Sequence, residues 1–208
     1  MEFSKMTLDN FYTECESDKK NLIKSFENDM QCFVINSKTG NGATHLMMGI
    51  AKQLEENVLF INYEKLINNN EISGLELETC KHLFLDSWNG FYLMCNSNNR
   101  FSIYLEMVEE KIRKFIKNGG KVYMTGNVDN MNDRLLNYVN GFYTSFVILD
   151  KVEKEVLSSL LKDFDKEYEC NLEKRFGTML LNKNYYSYRV FQNELIHLYA
   201  NIRLSENK

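Results

Sequence analysis

The chain has 208 residues, 44% hydrophobic and 26% charged, with a net charge of −4, which fits one large domain or two small ones around a real core. The acidic balance argues against non-specific nucleic-acid binding driven by bulk charge, leaving only a local basic groove or weak single-strand contact. No run of about 18 apolar residues is present to span a membrane, and the opening Met-Glu-Phe-Ser-Lys-Met is not a secretory signal.

Short apolar runs alternate with helix-period segments along the first 150 residues. The runs are Cys32–Ile35, Val58–Tyr63, His82–Leu85, Val122–Thr125 and Phe146–Leu149, each suited to a buried parallel strand. In His45–Leu54, Leu46, Ile50 and Leu54 recur at helical spacing. In Ser102–Lys117, Met107, Val108, Ile112, Phe115 and Ile116 form one apolar face, and Gly119-Gly120 signals its C-cap. After Asp150 the strand pattern stops. Lys151–Phe164, with Val152, Val156, Leu157, Leu160 and Leu161 inward, reads as a helix, as do Leu172–Leu181 and Tyr188–Ile202. The expectation is a doubly wound α/β fold with a parallel five-stranded sheet over residues 1–150, followed by a small all-helical lid over 151–208. Asn68–Asn70 and Asn96–Arg100 read as loops.

The segment Asn36-Ser-Lys-Thr-Gly-Asn-Gly-Ala-Thr-His-Leu46 has the outline of a phosphate-binding P-loop. Such a loop needs glycines for close backbone approach to phosphate, a lysine for the β/γ-phosphates and a hydroxyl for Mg²⁺. Gly40, Gly42 and Thr44 meet that pattern. Ser37 replaces the first glycine, and Ala43 stands where the lysine belongs.

The other chemistry-bearing residues are sparse. Five cysteines lie far apart with no C-x-x-C pair, which fits a reducing, cytoplasmic setting and neither a disulfide framework nor a zinc site. His82 and His197 fall on a strand and an apolar helix, as satisfied core or boundary residues. Trp88, Phe91 and Tyr92 follow the third strand; they would either pack that segment on the core or form a partner-binding patch able to stack on single-stranded bases.

Taken in order, these segments resemble the AAA+ domain of the bacterial initiator DnaA and its relative Hda, and less closely DnaC-type helicase loaders. Met6-Thr-Leu-Asp-Asn-Phe11 is similar to the entry motif of that family, and Cys32–Leu46 to its strand, P-loop and helix start, closing on Thr44-His45-Leu46. Leu83-Phe-Leu-Asp-Ser87 resembles Walker B, Val122-Tyr-Met-Thr-Gly-Asn127 the strand ending in sensor 1, and Tyr188–Leu195 the lid helix whose sensor 2 arginine is Arg189. The resemblance implies a P-loop AAA+ fold with a nucleotide site at Ser37, Lys38, Gly40, Gly42, Ala43, Thr44, Asp86, Asn127 and Arg189. Thr44 and Asp86 would reach Mg²⁺ if Mg-ATP or Mg-ADP binds.

The departures from that pattern matter as much. Ala43 removes a charge-assisted bond worth about 1.5–3 kcal/mol. Ser87 stands where DnaA has an acid, and a serine is not basic enough to activate water. The arginine finger is expected after Arg134-Leu-Leu, where the chain reads Asn137-Tyr-Val-Asn-Gly141; such a finger supplies roughly 10³–10⁵ in rate. Lys38 reads as a solvated loop residue, with a compensating phosphate contact as the alternative. Arg189 would contact a γ-phosphate or salt-bridge the lid to the core. Thr44 would ligate Mg²⁺ or N-cap its helix, and Asp86 would bind Mg²⁺ or hydrogen-bond Thr44.

The expectation is therefore a chain with no catalytic residues and no bound cofactor, or at most weakly held nucleotide. It would act as an adaptor or regulator of replication initiation by binding a DnaA initiator or a replicative helicase, with homodimerisation open. The alternative is a divergent ATP/ADP-binding helicase loader or nucleotide switch. Met1–Met6 lacks the Gln-x-x-Leu clamp-binding pattern of Hda.

Overall fold

The structure is a computed structural model that describes residues 6–9, 11, 30–54, 57–62, 77–97, 99–127, 137–149 and 151–206. Five strands form one sheet: β1 (Cys32–Ser37), β2 (Val58–Asn62), β3 (His82–Asp86), β4 (Lys121–Asn127) and β5 (Thr144–Leu149). Their order is β2-β3-β4-β1-β5, and every neighbouring pair is parallel. All five expected runs contain strands, with Tyr63 outside the described residues, but β5 is a half-exposed edge strand rather than a buried one. β1, β3 and β4 are buried almost throughout, as befits strands covered on both faces.

Alternation along each strand sorts side chains to two layers. Phe33, Ile35, Phe84 and Tyr123 pack with Leu46, Met47 and Ile50 of α1 (Ala43–Gln53) on one face. Cys32, Val34, Leu85 and Met124 pack on the other face against α2 (Trp88–Ser97) and α3 (Asn99–Lys117). Phe84 and Tyr123 stack at 4.2 Å between ring centroids with an interplanar angle of 3°. The Leu8 and Phe11 side chains of the entry motif close the α1 layer, and His45 Nε2 donates to the Thr7 carbonyl at 3.0 Å.

α3 ends as its sequence signals. Gly119, at φ +90°, donates to Ile116 O at 2.9 Å, and Gly120 donates to Phe115 O at 3.0 Å, a paired C-terminal closure that favours glycine at the left-handed position. Asn96–Ser97 and Asn99–Arg100, expected in a loop, are helical, since α2 runs to Ser97 and α3 starts at Asn99; Asn98 lies outside the described residues. Met107 is 52% exposed; Leu105 and Val108 face inward there. Asn68–Asn70 lie outside the described residues.

Three helices follow the sheet: α4 (Lys154–Tyr168), α5 (Leu172–Leu181) and α6 (Tyr188–Glu206). Leu157, Leu161, Leu172, Leu180, Phe191 and Leu195 form their core. α4 starts three residues later than its pattern suggests, because Glu153 is extended at φ −99°, ψ 135°. The Asp165 carboxylate accepts from Leu172 N at 2.5 Å and Glu173 N at 2.8 Å, satisfying two orphan donors at the start of α5. Glu194 on α6 pairs with Lys183 and accepts from Tyr185 at 2.8 Å, pinning the α5–α6 connection. His197 is exposed on α6 rather than buried in its apolar face; Leu195 and Leu198 carry the packing on either side of it.

Candidate functional site

β1, β3 and β4 end side by side, and their last residues are Ser37, Asp86 and Asn127. The carboxyl ends of parallel strands are where α/β sheets gather functional groups. Ser37 sits in register with Asn127 on one side and Leu149 on the other. The chain then turns: Lys38 N donates to Leu149 O at 3.1 Å, Asn41 N to Lys38 O at 3.1 Å, and Asn41 Nδ2 to Leu149 O at 3.2 Å. Gly40 and Gly42 hold φ of +89° and +92°, so the P-loop outline is a real left-handed turn into α1.

α1 begins at Ala43, and its N-cap Gly42 offers no side chain to the first-turn amides. Thr44 therefore lies inside the helix and does not cap it. Its hydroxyl donates to Asp86 Oδ1 at 3.1 Å. Thr125 Oγ1 donates to the same oxygen at 2.9 Å, and Asn62 Nδ2 approaches Oδ2 at 3.5 Å. Thr125 in turn accepts from Ser87 N at 2.5 Å, with Ser87 at φ +57°. A non-glycine residue in that region is strained, and the Thr125 bond holds it there. Asp86 is thus a buried carboxylate tied to three elements by neutral donors.

The lid reaches this site through backbone. Arg189 N donates to Gly40 O at 3.3 Å, and the buried Ser187 lies beneath the same glycine. A Cβ on Gly40 would stand 2.9 Å from Arg189 Cβ and 3.0 Å from Ser187 Oγ. The loop, the three strand ends and α6 enclose a cavity of about 610 Å³. Val156 and Leu160 of α4, with Met6 and Phe11, line its apolar side.

The structure gathers Ser37, Gly40, Gly42, Ala43, Thr44, Asp86, Asn127 and Arg189 around that cavity. Asn127 Nδ2 donates to Thr39 Oγ1 at 3.2 Å. Lys38 is exposed and does not line the cavity. Arg189 is exposed, and among the described residues its guanidinium makes no ion pair with a carboxylate, so the lid contact is backbone rather than a salt bridge. Trp88, Phe91 and Tyr92 are each 0% exposed and form the first turns of α2, which rules out a surface patch or base-stacking platform. Tyr92 donates to buried Glu109 at 2.6 Å. In Asn137–Gly141, Tyr138 and Val139 are core residues; Arg134 lies outside the described residues.

Sequence reasoning missed Thr125, Asn62 and Ser187. The first two lie at strand ends beside Asp86, a position that pairing register alone would have disclosed. Ser187 gave no signal, because its role depends on where the lid docks. Among the described residues no cluster of His, Cys, Asp or Glu has metal-site geometry, and no helix is long and apolar enough to cross a membrane.

A doubly wound parallel sheet with a left-handed glycine loop leading into α1 and a helical lid over the strand ends defines the P-loop α/β class. Within it, the chain has the AAA+ fold seen in DnaA and RuvB. It is similar to domain III of the Thermotoga maritima replication initiation protein DnaA, with TM-score 0.72 and 13% identity, covering 98% of this chain and 91% of that one. It is similar to replication initiator DnaA bound to AMPPCP and single-stranded DNA, with TM-score 0.65 and 17% identity, covering 98% of this chain and 68% of that one. The Thermotoga maritima RuvB Holliday junction branch migration motor matches with TM-score 0.70 and 15% identity, covering 98% and 67%. No protein-family profile matches the chain, and no curated protein does.

Proposed function

We propose that this protein is a non-hydrolysing, DnaA- and Hda-related adaptor or regulator of DNA replication initiation. It acts by binding another replication protein, a DnaA-type initiator or the replicative helicase, with the helices that follow the sheet as a lid docked on the Gly40 loop. The observation that carries this reading is Ala43 at the first turn of α1, lining the cavity where a lysine would meet a β/γ-phosphate. Thr44 and Asp86, the two side chains suited to Mg²⁺, brace each other and Thr125 without any ligand, and no cation stands at position 43 to meet a β/γ-phosphate.

The residues present suit a phosphate held by backbone alone. The uncapped first turn of α1 and the Gly40–Gly42 turn form an anion-accepting concavity, with Arg189 at its rim. They do not suit hydrolysis: Ser87 is no base, and Asn137–Gly141 holds no arginine.

The uncapped α1 terminus supports the second reading, a weak ATP/ADP switch or helicase loader. Titration with a fluorescent ATP analogue separates the two. Saturable micromolar binding supports the switch; no binding supports the adaptor. Capture on the purified protein from the native host tests the replication role, and recovery of neither an initiator, a helicase nor a polymerase component would overturn it.

A further inference from the structure

β5 is an edge strand, paired only with β1 among the described residues. The Tyr143 carbonyl accepts from Gln31 N at 2.9 Å and Cys32 N at 3.2 Å, and the Leu149 carbonyl accepts from Lys38 N at 3.1 Å. Both ends of the strand therefore direct the peptide groups of odd-numbered residues toward β1. The alternation of a strand then turns the N–H and C=O groups of Thr144, Phe146 and Ile148 away from the sheet. Val147 and Leu149 pack toward α1. Phe146 and Ile148 point to the opposite face, where they are 43% and 61% exposed, and neighbouring Tyr143 is 64% exposed.

Natural edge strands are blunted by charge, proline or a bulge. Tyr143-Thr-Ser-Phe-Val-Ile-Leu149 contains no charge, no proline and no glycine, and is rich in aromatic and β-branched residues that favour strands. An edge with open peptide groups and this composition is suited to pair with another strand.

We propose that β5 pairs with β5 of a second copy of this chain, antiparallel about a two-fold axis at Phe146. The outward residues 144, 146 and 148 are symmetric about 146, so every outward peptide group finds a partner at once. Phe146 then faces Phe146, and Ile148 faces Thr144, giving an uncharged cross-strand row. The strand itself carries no charge, so the symmetric pairing brings no like charges into opposition along it. The contact is isologous and closes at two copies. One strand per copy makes a modest interface, so the dimer is concentration-dependent.

Sedimentation velocity across a micromolar concentration series tests this. A monomer–dimer equilibrium is expected; Ile148→Lys weakens it at least tenfold, and Ile196→Lys, at another exposed site on α6, leaves it unchanged. Oxidation supplies a second readout. Directly opposed residues in a hydrogen-bonded antiparallel pair have Cα atoms about 5.5 Å apart, within disulfide reach. Phe146→Cys therefore yields a covalent dimer above the wild-type background, and Ser145→Cys does not. A monomer at every concentration, a dimer indifferent to Ile148→Lys, or equal crosslinking at positions 145 and 146 would overturn the proposal.

Discussion

Thr44 and Asp86 meet across the interior of the site, the hydroxyl of one at 3.1 Å from Oδ1 of the other. They come from the first turn of α1 and the last residue of β3, and Thr125 of β4 joins them on the same oxygen. In this protein the three side chains form a structural knot, so Asp86 should act first on stability. Asp86→Ala leaves the Thr44 and Thr125 hydroxyls without their acceptor and frees the strained Ser87 turn. An unpaired buried donor costs about 1–3 kcal/mol, so the urea midpoint should fall correspondingly. Asp86→Asn, which keeps one acceptor oxygen, should lose less. Equal stability of Asp86→Ala and wild type would mean that the knot holds nothing.

Ala43→Lys tests whether the site has lost its chemistry in one step or several. A lysine there places a cation at the start of α1, toward the cavity. A charge-assisted phosphate contact is worth about 1.5–3 kcal/mol, roughly one to two orders of magnitude in affinity. Affinity for a fluorescent ATP analogue should rise by that factor while phosphate release stays at background, because Ser87 and the arginine-free Asn137–Gly141 segment are unchanged. Rapid turnover by the single variant would show that another group supplies the catalysis.

Much of the fold was legible because the strands of a parallel sheet announce themselves as short apolar runs, and all five did, although β5 lies half-exposed at the sheet edge rather than buried. α2 was not. Trp88–Ser97 begins directly after the left-handed Ser87 and buries Trp88, Phe91, Tyr92 and Cys95, and Asn89 and Gly90 weaken its helical propensity. An apolar helix that short reads as a loop or patch. The Thr44–Asp86 bond was among the open alternatives because P-loop order put the two residues together. The lid contact was invisible, since it joins the backbone of Gly40 to that of Arg189, and no side-chain pattern encodes a backbone hydrogen bond between residues so far apart in sequence.

That lid contact makes Gly40 a sensitive position. Gly40→Ala places a methyl in a φ of +89° and 2.9 Å from Arg189 Cβ. The left-handed conformation alone costs about 1–2 kcal/mol, and the contact with α6 adds to it. Hydrogen exchange should show faster exchange of the Arg189 amide and the first turn of α6, with β1 and β4 protected as before. Uniform exchange across the chain would mean that lid and sheet unfold together and that the contact is not a separate joint.

Acid should loosen the protein in two steps, each assignable to a residue. Burial, then the charges of Lys121 and Lys81, hold the His82 imidazole below its ordinary value of 6.5, so the folded state favours the neutral ring facing Tyr123 Oη at 3.2 Å. A depressed folded pKa means that the stabilisation is complete above pH 6.5 and is lost as pH falls through the lower folded value. Glu194 follows the carboxylate form of the same rule. Burial by itself would raise it, but the hydrogen bonds from Lys183 and Tyr185 and the charge of Lys183 outweigh that and hold it below 4.5. Its contribution is complete above pH 4.5 and disappears as pH drops further. Urea midpoints measured against pH should therefore decline first below 6.5 and again below 4.5. His82→Gln should remove the first decline, and Glu194→Gln should flatten the second. If Glu194→Gln leaves the lower decline intact, other carboxylates govern acid unfolding and the α5–α6 pin has no separate role in it.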